Sequence, residues 1–88
     1  MTRSFEILNR VGLHARAAAQ LVQVASGFSA ELTLRKDGQS VNGKSIMGVM
    51  MLAASQGSTI DADAEGSDAA ELLEALAALV VAKFHEDR

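Results

Sequence analysis

The side chains in this sequence best suited to chemistry are a histidine and an arginine two residues apart, His14 and Arg16. They follow Gly12 and stand where a helical pattern begins, so we expect the imidazole at the helix start and the guanidinium in its first turn. A cation there opposes the positive end of the helix dipole, at a cost of roughly 0.3–1 kcal/mol, and histidine caps a helix less well than serine. Such departures from local stability rules indicate function.

An imidazole, a guanidinium and free backbone N–H groups at one helix start form an anion-binding site, and phosphate is the expected ligand. The planar guanidinium of Arg16 matches phosphate oxygens, and Gly12 lets the backbone approach a ligand closely. A neutral imidazole is also a nucleophile, so His14 is predicted to accept a phosphoryl group. A surface-turn histidine beside a solvated arginine is an equally open interpretation at this point.

A second unusual segment runs from Ile46 to Leu52 and is apolar on every side. A helix of about two turns cannot bury all of these side chains. We expect Val49, Leu52 and Ala53 to face the core, which leaves a methionine-rich patch at the surface, as is typical of docking faces. The alternative is that the methionines complete the core of an aromatic-poor protein. The expected surface residues are Ile46, Met47 and Met50.

The elements that would position these residues follow from periodicity and turn signals. Asp37-Gly38 predicts a hairpin, with the short polar return strand at a sheet edge. Gly27 is expected to end the first helix in the left-handed conformation, and Ser45 and Ser67 are expected to cap the second and third helices. Asp68 and Glu71 are expected in the first turn of the third helix. The predicted strands are 5–8, 30–35, 39–42 and 59–65, and the predicted helices are 15–26, 46–54 and the segment after Ser67.

The order βαββαβα predicts an α+β open-faced β-sandwich, a four-stranded antiparallel sheet with three helices on one face. The third helix carries a long apolar stripe that should pack on the sheet. At 88 residues the chain is expected to form a single domain, 1–88. The stripe consists of Leu72, Leu73, Leu76, Leu79, Val80 and Phe84.

Composition excludes several classes of protein. There is no cysteine for disulfides or thiolate metal sites, and a net charge of −3 without a basic cluster argues against a nucleic-acid partner. Neither a signal peptide nor an apolar run of the ~18 residues a membrane span needs is present, so we expect a cytoplasmic protein with no membrane partner. We expect no metal site, because Asp61, Asp63 and Glu65 lack EF-hand spacing, and no function for His85 in the polar tail.

Two motifs resemble those of HPr, the histidine-containing phosphocarrier family of the bacterial phosphotransferase system. Gly12–Ala18 is similar to the active-site motif, and Gly43–Met50 is similar to the regulatory serine motif. The resemblance extends over the whole chain in length, element order and motif separation. It implies that His14 takes a phosphoryl group on Nδ1 from phospho-enzyme I and passes it to enzyme IIA domains, while Arg16 neutralises the phosphoryl charge.

The resemblance also implies that HPr kinase/phosphorylase phosphorylates Ser45, that the protein is a monomer and that it needs no cofactor. Such a carrier is modified stoichiometrically, and its partners supply most of the catalysis, so naming it an enzyme is partly a matter of definition. In the family, the docking face joins the start of the first helix to the second helix. Here its residues are Leu13, Ala15, Ala19, Ile46, Met47 and Met50.

Three positions depart from the usual family pattern. Ala17 replaces the proline that normally follows the active-site arginine, which implies altered phosphate geometry and slower transfer. Gln23 and Ser26 replace lysines of many sugar-system members, and Asn9–Gly12 is more similar to the nitrogen-related branch. A regulatory binding module acting through Ser45, with little or no role in sugar transport, is therefore the alternative function. A generic α+β interaction domain is the third hypothesis.

Overall fold

The computed structural model describes residues 1–86. It contains four strands, three α-helices and a short 3-10 turn, and it confirms the predicted order βαββαβα. The elements are β1 (Thr2–Glu6), α1 (Ala15–Ser26), β2 (Glu31–Lys36), β3 (Gln39–Asn42), α2 (Ile46–Met51), β4 (Thr59–Glu65), α3 (Ala69–Val81) and the 3-10 turn Lys83–His85.

The four strands form one antiparallel sheet in the order β1-β4-β2-β3. Alternate residues of a strand point to the same side of the sheet, and the buried residues of β4 pair with buried residues of its neighbours. One such pair is Ile60 of β4 and Phe5 of β1. The predicted hairpin turn is confirmed, since Asp37 and Gly38 have φ of 51° and 81°. As predicted, β3 lies at an edge and is short and polar.

The helices cover the apolar face of the sheet, which gives the open-faced α+β sandwich predicted from the sequence. The largest completely buried side chains come from strands and helices together, so a single core joins them. Every residue of the predicted α3 stripe is buried, although Phe84 lies in the 3-10 turn after the helix. Within residues 1–86, no helix is long and apolar enough to cross a membrane.

Two predictions about helix ends are wrong. Gly27 has φ −76° and is not left-handed; its N–H instead donates to Val24 O at 3.1 Å, so tight 3-10 hydrogen bonds end α1. The N-cap of α3 is Asp68, not Ser67, and Asp68 makes no side-chain bond to its own helix. Its carboxylate instead accepts hydrogen bonds from the backbone N–H groups of Ser29 and Ala30, both at 2.8 Å, and so ties the start of α3 to the residues just before β2.

The second helix is shorter than predicted, ending at Met51 instead of Ala54. Ala53 is exposed, with φ of 50°, and does not face the core as expected. The early turn places the carbonyl of Ala54 where it accepts the Leu13 N–H at 2.9 Å. Strand β1 also begins earlier than predicted, at Thr2, because it pairs with β4 as far as Asp63.

Candidate functional site

His14 is the N-cap residue of α1, with extended backbone angles of φ −76° and ψ 178°. Its carbonyl accepts the Ala18 N–H at 2.8 Å, and its side chain makes no capping hydrogen bond. Arg16 therefore lies in the first turn, which confirms the predicted placement of both residues. The N-terminal N–H groups of an α-helix lack intrahelical acceptors, so they remain available to an anion.

Gly12 fixes the loop that carries His14 against the end of α2. Its φ is +76°, and a Cβ built there would lie 2.4 Å from the carbonyl oxygen of Ala54. The next residue, Leu13, donates to that same oxygen, and the Gly12 carbonyl accepts the His14 N–H at 3.0 Å. Only glycine combines this left-handed conformation with so close a backbone approach.

The imidazole of His14 contacts the carboxylate of Glu86. The distance from Nε2 to Oε2 is 3.0 Å, and the same oxygen accepts Nδ2 of Asn9 at 2.6 Å. The hydrogen bond from His14 lowers the pKa of Glu86 most; partial burial opposes it, and the Asn9 hydrogen bond adds to it. The carboxylate is therefore ionised at neutral pH, where it can only accept hydrogen bonds.

The charge state of Glu86 decides which nitrogen of His14 carries the proton. Since an ionised carboxylate has no hydrogen to donate, Nε2 must be the donor of this bond. A neutral imidazole carries one N–H and one lone pair, so the lone pair lies on Nδ1. Nδ1 is therefore the nitrogen through which a neutral His14 could act as a nucleophile.

Neither Asn9 nor Glu86 was predicted as a site residue. Glu86 is 72 residues from His14 along the chain, and it lies in a segment that reads as a polar tail. Asn9 could have been suspected as a polar residue in an apolar stretch, but only the fold shows that it is buried. His85, for which no function is expected, is exposed, and the last two residues of that tail lie outside the described range.

Arg16 is exposed and makes no hydrogen bond or ion pair within residues 1–86. The site therefore combines an imidazole, a nearby guanidinium that is not committed elsewhere in the described structure, and the open N-terminus of α1. This arrangement suits a phosphoryl group, because its oxygens can accept from the guanidinium and the backbone N–H groups while the imidazole offers the Nδ1 lone pair to phosphorus.

The predicted apolar patch is present on α2. The exposed fractions are 43% for Ile46, 72% for Met47 and 38% for Met50, and Met51, which was not predicted, is exposed by 63%. The alternative that these methionines complete the core is therefore wrong. The Oγ of Ser45 accepts the backbone N–H of the third helical residue at 3.1 Å, which confirms the predicted cap.

The docking residues predicted around His14 differ in their accessibility. Ala15 is exposed and Ala19 is half-buried, so both can contribute to a surface. Leu13 is only 4% exposed and packs in the core, so the expectation that it offers docking area finds no support in its burial. Its backbone nevertheless joins the His14 loop to the segment after α2.

Comparison with known proteins assigns the chain to a family. The model described as "PTS HPr component phosphorylation site" matches residues 1–82. This chain belongs to the HPr family. Family membership implies a phosphocarrier role in the phosphotransferase system, and the hypothesis of a generic interaction domain is thereby excluded.

Individual relatives support this assignment over nearly the full length. Phosphocarrier protein HPr of Cupriavidus necator is 45% identical, covering 98% of this chain and 97% of that protein. The crystal structure of HPr-C-His from Thermoanaerobacter tengcongensis superimposes with a TM-score of 0.95 at 46% identity, covering 100% and 99% of the two chains. Crh, a catabolite repression protein of Bacillus subtilis whose crystal structure is a domain-swapped dimer, gives a TM-score of 0.74 at 48% identity, with 88% of each chain covered.

Proposed function

We propose that His14 accepts a phosphoryl group from phosphorylated enzyme I and passes it to enzyme IIA domains. The observation that carries the proposal is the pairing of Nε2 with Glu86, which leaves the Nδ1 lone pair at an open helix start. In the transfer, Nδ1 forms a bond to phosphorus while the bond between phosphorus and the atom that carries it on the donor breaks. The departing electron pair stays on the donor, and the reverse sequence delivers the group to the next protein.

Arg16 assists by neutralising charge on the phosphoryl oxygens. Its guanidinium is exposed in the first turn of α1, two residues after the N-cap residue that would carry the group. The helix dipole adds partial positive charge at the same place. Because these donors are in position before transfer, they stabilise the phosphoryl group wherever charge develops on it.

The patch on α2, together with Ala15 and Ala19, is the proposed docking face for enzyme I and the enzyme IIA domains. Methionine side chains adapt to differently shaped partners, which a carrier with several partners needs. Ser45 lies at the edge of this patch and is the proposed target of HPr kinase/phosphorylase. A phosphate there would be tolerated by the helix N-terminus but would place charge in the apolar face.

A regulatory binding module is the second candidate function, and the similarity to Crh favours it. Under this alternative, Ser45 phosphorylation controls partner binding, and phosphoryl transfer through His14 contributes little, with sugar transport or nitrogen regulation decided by the partners present. Kinase-dependent partner binding that persists in His14→Ala would support this function over the carrier. For either function we propose a cytoplasmic, monomeric single domain that works without a cofactor.

The carrier proposal is tested by incubating the protein with enzyme I and phosphoenolpyruvate. Wild type should gain one phosphate that is labile in acid and stable in base, as a phosphohistidine is. His14→Ala should gain none, and His85→Ala, which removes the other histidine from an exposed position, should behave as wild type. Equal labelling of His14→Ala and wild type would exclude His14 as the acceptor.

A further inference from the structure

Asn9 occupies an unusual position for an amide. It is the only polar residue among residues 1–86 that is fully buried, at 0% exposure. Its Nδ2 donates to the Gly12 carbonyl at 2.7 Å and to the Glu86 carboxylate at 2.6 Å, whereas its Oδ1 has no partner within the described structure. Burying an amide with an unpaired oxygen costs stability that an apolar residue would not. This cost suggests that the two donated bonds serve a purpose other than packing.

Glu86 reaches the site through an equally unusual piece of backbone. Lys83, Phe84 and His85 all have positive φ, of 54°, 54° and 59°, a conformation that side-chain-bearing residues avoid. The turn persists because Phe84 is 1% exposed and anchored in the core, and because the Glu86 N–H donates to the Lys83 carbonyl at 3.1 Å. Strained turns held in place by packing occur preferentially at functional sites. This one reverses the chain after α3 and delivers a carboxylate to His14.

We propose that Glu86 and Asn9 are positioning residues for phosphoryl transfer, forming a clamp on His14. Asn9 fixes the Glu86 carboxylate and at the same time the carbonyl of the loop that carries His14. The carboxylate in turn holds the Nε2 proton, so that Nδ1 is always presented as the acceptor. The clamp acts through His14 and rests on the proposed carrier function.

The clamp also explains why the Nε2 proton can stay on the ring during transfer. When Nδ1 bonds to phosphorus, the ring keeps its Nε2 proton and carries a positive charge. Glu86 lies 3.0 Å from that nitrogen and balances this charge, so no proton has to leave as the bond forms. A carboxylate that orients a working imidazole and stabilises its cation performs the same task in serine hydrolases.

Nitrogen NMR of the imidazole rings tests the clamp without any partner protein. At about pH 9, where imidazoles are neutral, the nitrogen shifts report which ring nitrogen carries the proton. In wild type, His14 should show the Nε2–H form alone, whereas exposed His85 gives a reference mixture in the same spectrum. Glu86→Ala should move His14 to the mixture seen for His85. An unchanged His14 spectrum would overturn the proposal.

Transfer kinetics separate positioning from docking. Glu86→Ala should lower kcat for phosphorylation by enzyme I about tenfold, the size typical of removing an imidazole's orienting partner at metal sites, with KM unchanged. Glu86→Gln, which keeps a neutral acceptor, should recover part of the loss, and His85→Ala in the same turn should have no effect. A raised KM at constant kcat would assign Glu86 to docking and overturn the clamp, as would unchanged kinetics.

Asn9 is tested in the same two assays. Asn9→Ala should reproduce the loss in kcat and the mixed protonation of His14, provided that thermal unfolding shows a folded protein. The two Glu86 variants decide the matter if Asn9→Ala does not fold. Failure of wild-type His14 to accept any phosphate would overturn the carrier function, whereas normal transfer with an unchanged ring spectrum in Glu86→Ala would overturn the clamp alone.

Discussion

Replacing Gly12 with alanine tests how closely the His14 loop is held against the end of α2. The new methyl group would meet the Ala54 carbonyl oxygen at 2.4 Å, so one of the two segments must move. The movement breaks the hydrogen bond from the Leu13 N–H to that oxygen, worth roughly 0.5–1.5 kcal/mol. The left-handed φ adds about 1–2 kcal/mol for a residue with a side chain. We therefore expect a loss of about 2–3 kcal/mol in the free energy of unfolding.

Gly57 supplies the matched control. It also has a left-handed φ, of +88°, but a Cβ there would meet nothing within 4 Å. Gly57→Ala therefore shares the backbone cost of Gly12→Ala, and both variants reduce the freedom of the unfolded chain equally. The difference between the two should be about 1 kcal/mol or more, and it measures the contact with Ala54 alone.

Urea denaturation of the two variants and wild type provides the comparison, with equal slopes required for a valid difference. Phosphorylation by enzyme I should also fall more in Gly12→Ala, because the Gly12 carbonyl accepts from both Asn9 and the backbone of His14. Equal losses of stability in the two alanine variants would show that the loop and the end of α2 are not held in contact, and would refute the reasoning.

Three further substitutions have defined outcomes. The pKa of Asp68 is lowered from 3.8, mainly by the hydrogen bond from the backbone N–H of Ser29. The ionised carboxylate therefore stabilises the fold above that pH, and this stabilisation is lost as the pH falls through the lowered pKa. Unfolding curves of Asp68→Asn should show lower stability than wild type at about pH 7 and similar stability at about pH 2. Ala17→Pro should raise the free energy of unfolding by roughly 0.4–1 kcal/mol, because proline restricts the unfolded chain and the N–H of Ala17, the third residue of α1, has no intrahelical acceptor. A lower melting temperature would mean that the proline ring does not fit at this position. Ser45→Asp should weaken enzyme I binding with nearly unchanged melting temperature, and a large drop in melting temperature with normal binding would contradict the proposed charge effect.

The sequence predicted best those elements whose signals are local. Alternation along β4 and the two-residue turn at Asp37 follow from the residues themselves, and both agree with the structure. The cap of α2 by Ser45 is similarly local, since donor and acceptor are three residues apart. The placement of His14 also rested on a local signal, because an arginine in the first turn opposes the dipole of the same helix.

Predictions failed where distant parts of the chain decide the outcome. Gly27 is the exception, because local 3-10 hydrogen bonds already satisfy the end of α1 without a left-handed residue. Asp68 displaced Ser67 as the cap because its carboxylate binds the start of β2, a contact 39 residues away. Glu86 was missed for the same reason, since its position depends on a turn that the burial of Phe84 in the core helps to hold in place.

The close approach of Gly12 to Ala54 has a consequence for the speed of transfer between proteins. It ties the acceptor loop to the segment that follows α2, which restricts the position of the imidazole relative to the methionine-rich patch before any encounter. A partner that binds the proposed docking face would then also have located Nδ1, with little further loss of translational or rotational freedom. Reacting groups preorganised in this way behave as if one were present at a very high effective concentration. A carrier can therefore combine brief, weak encounters with efficient exchange.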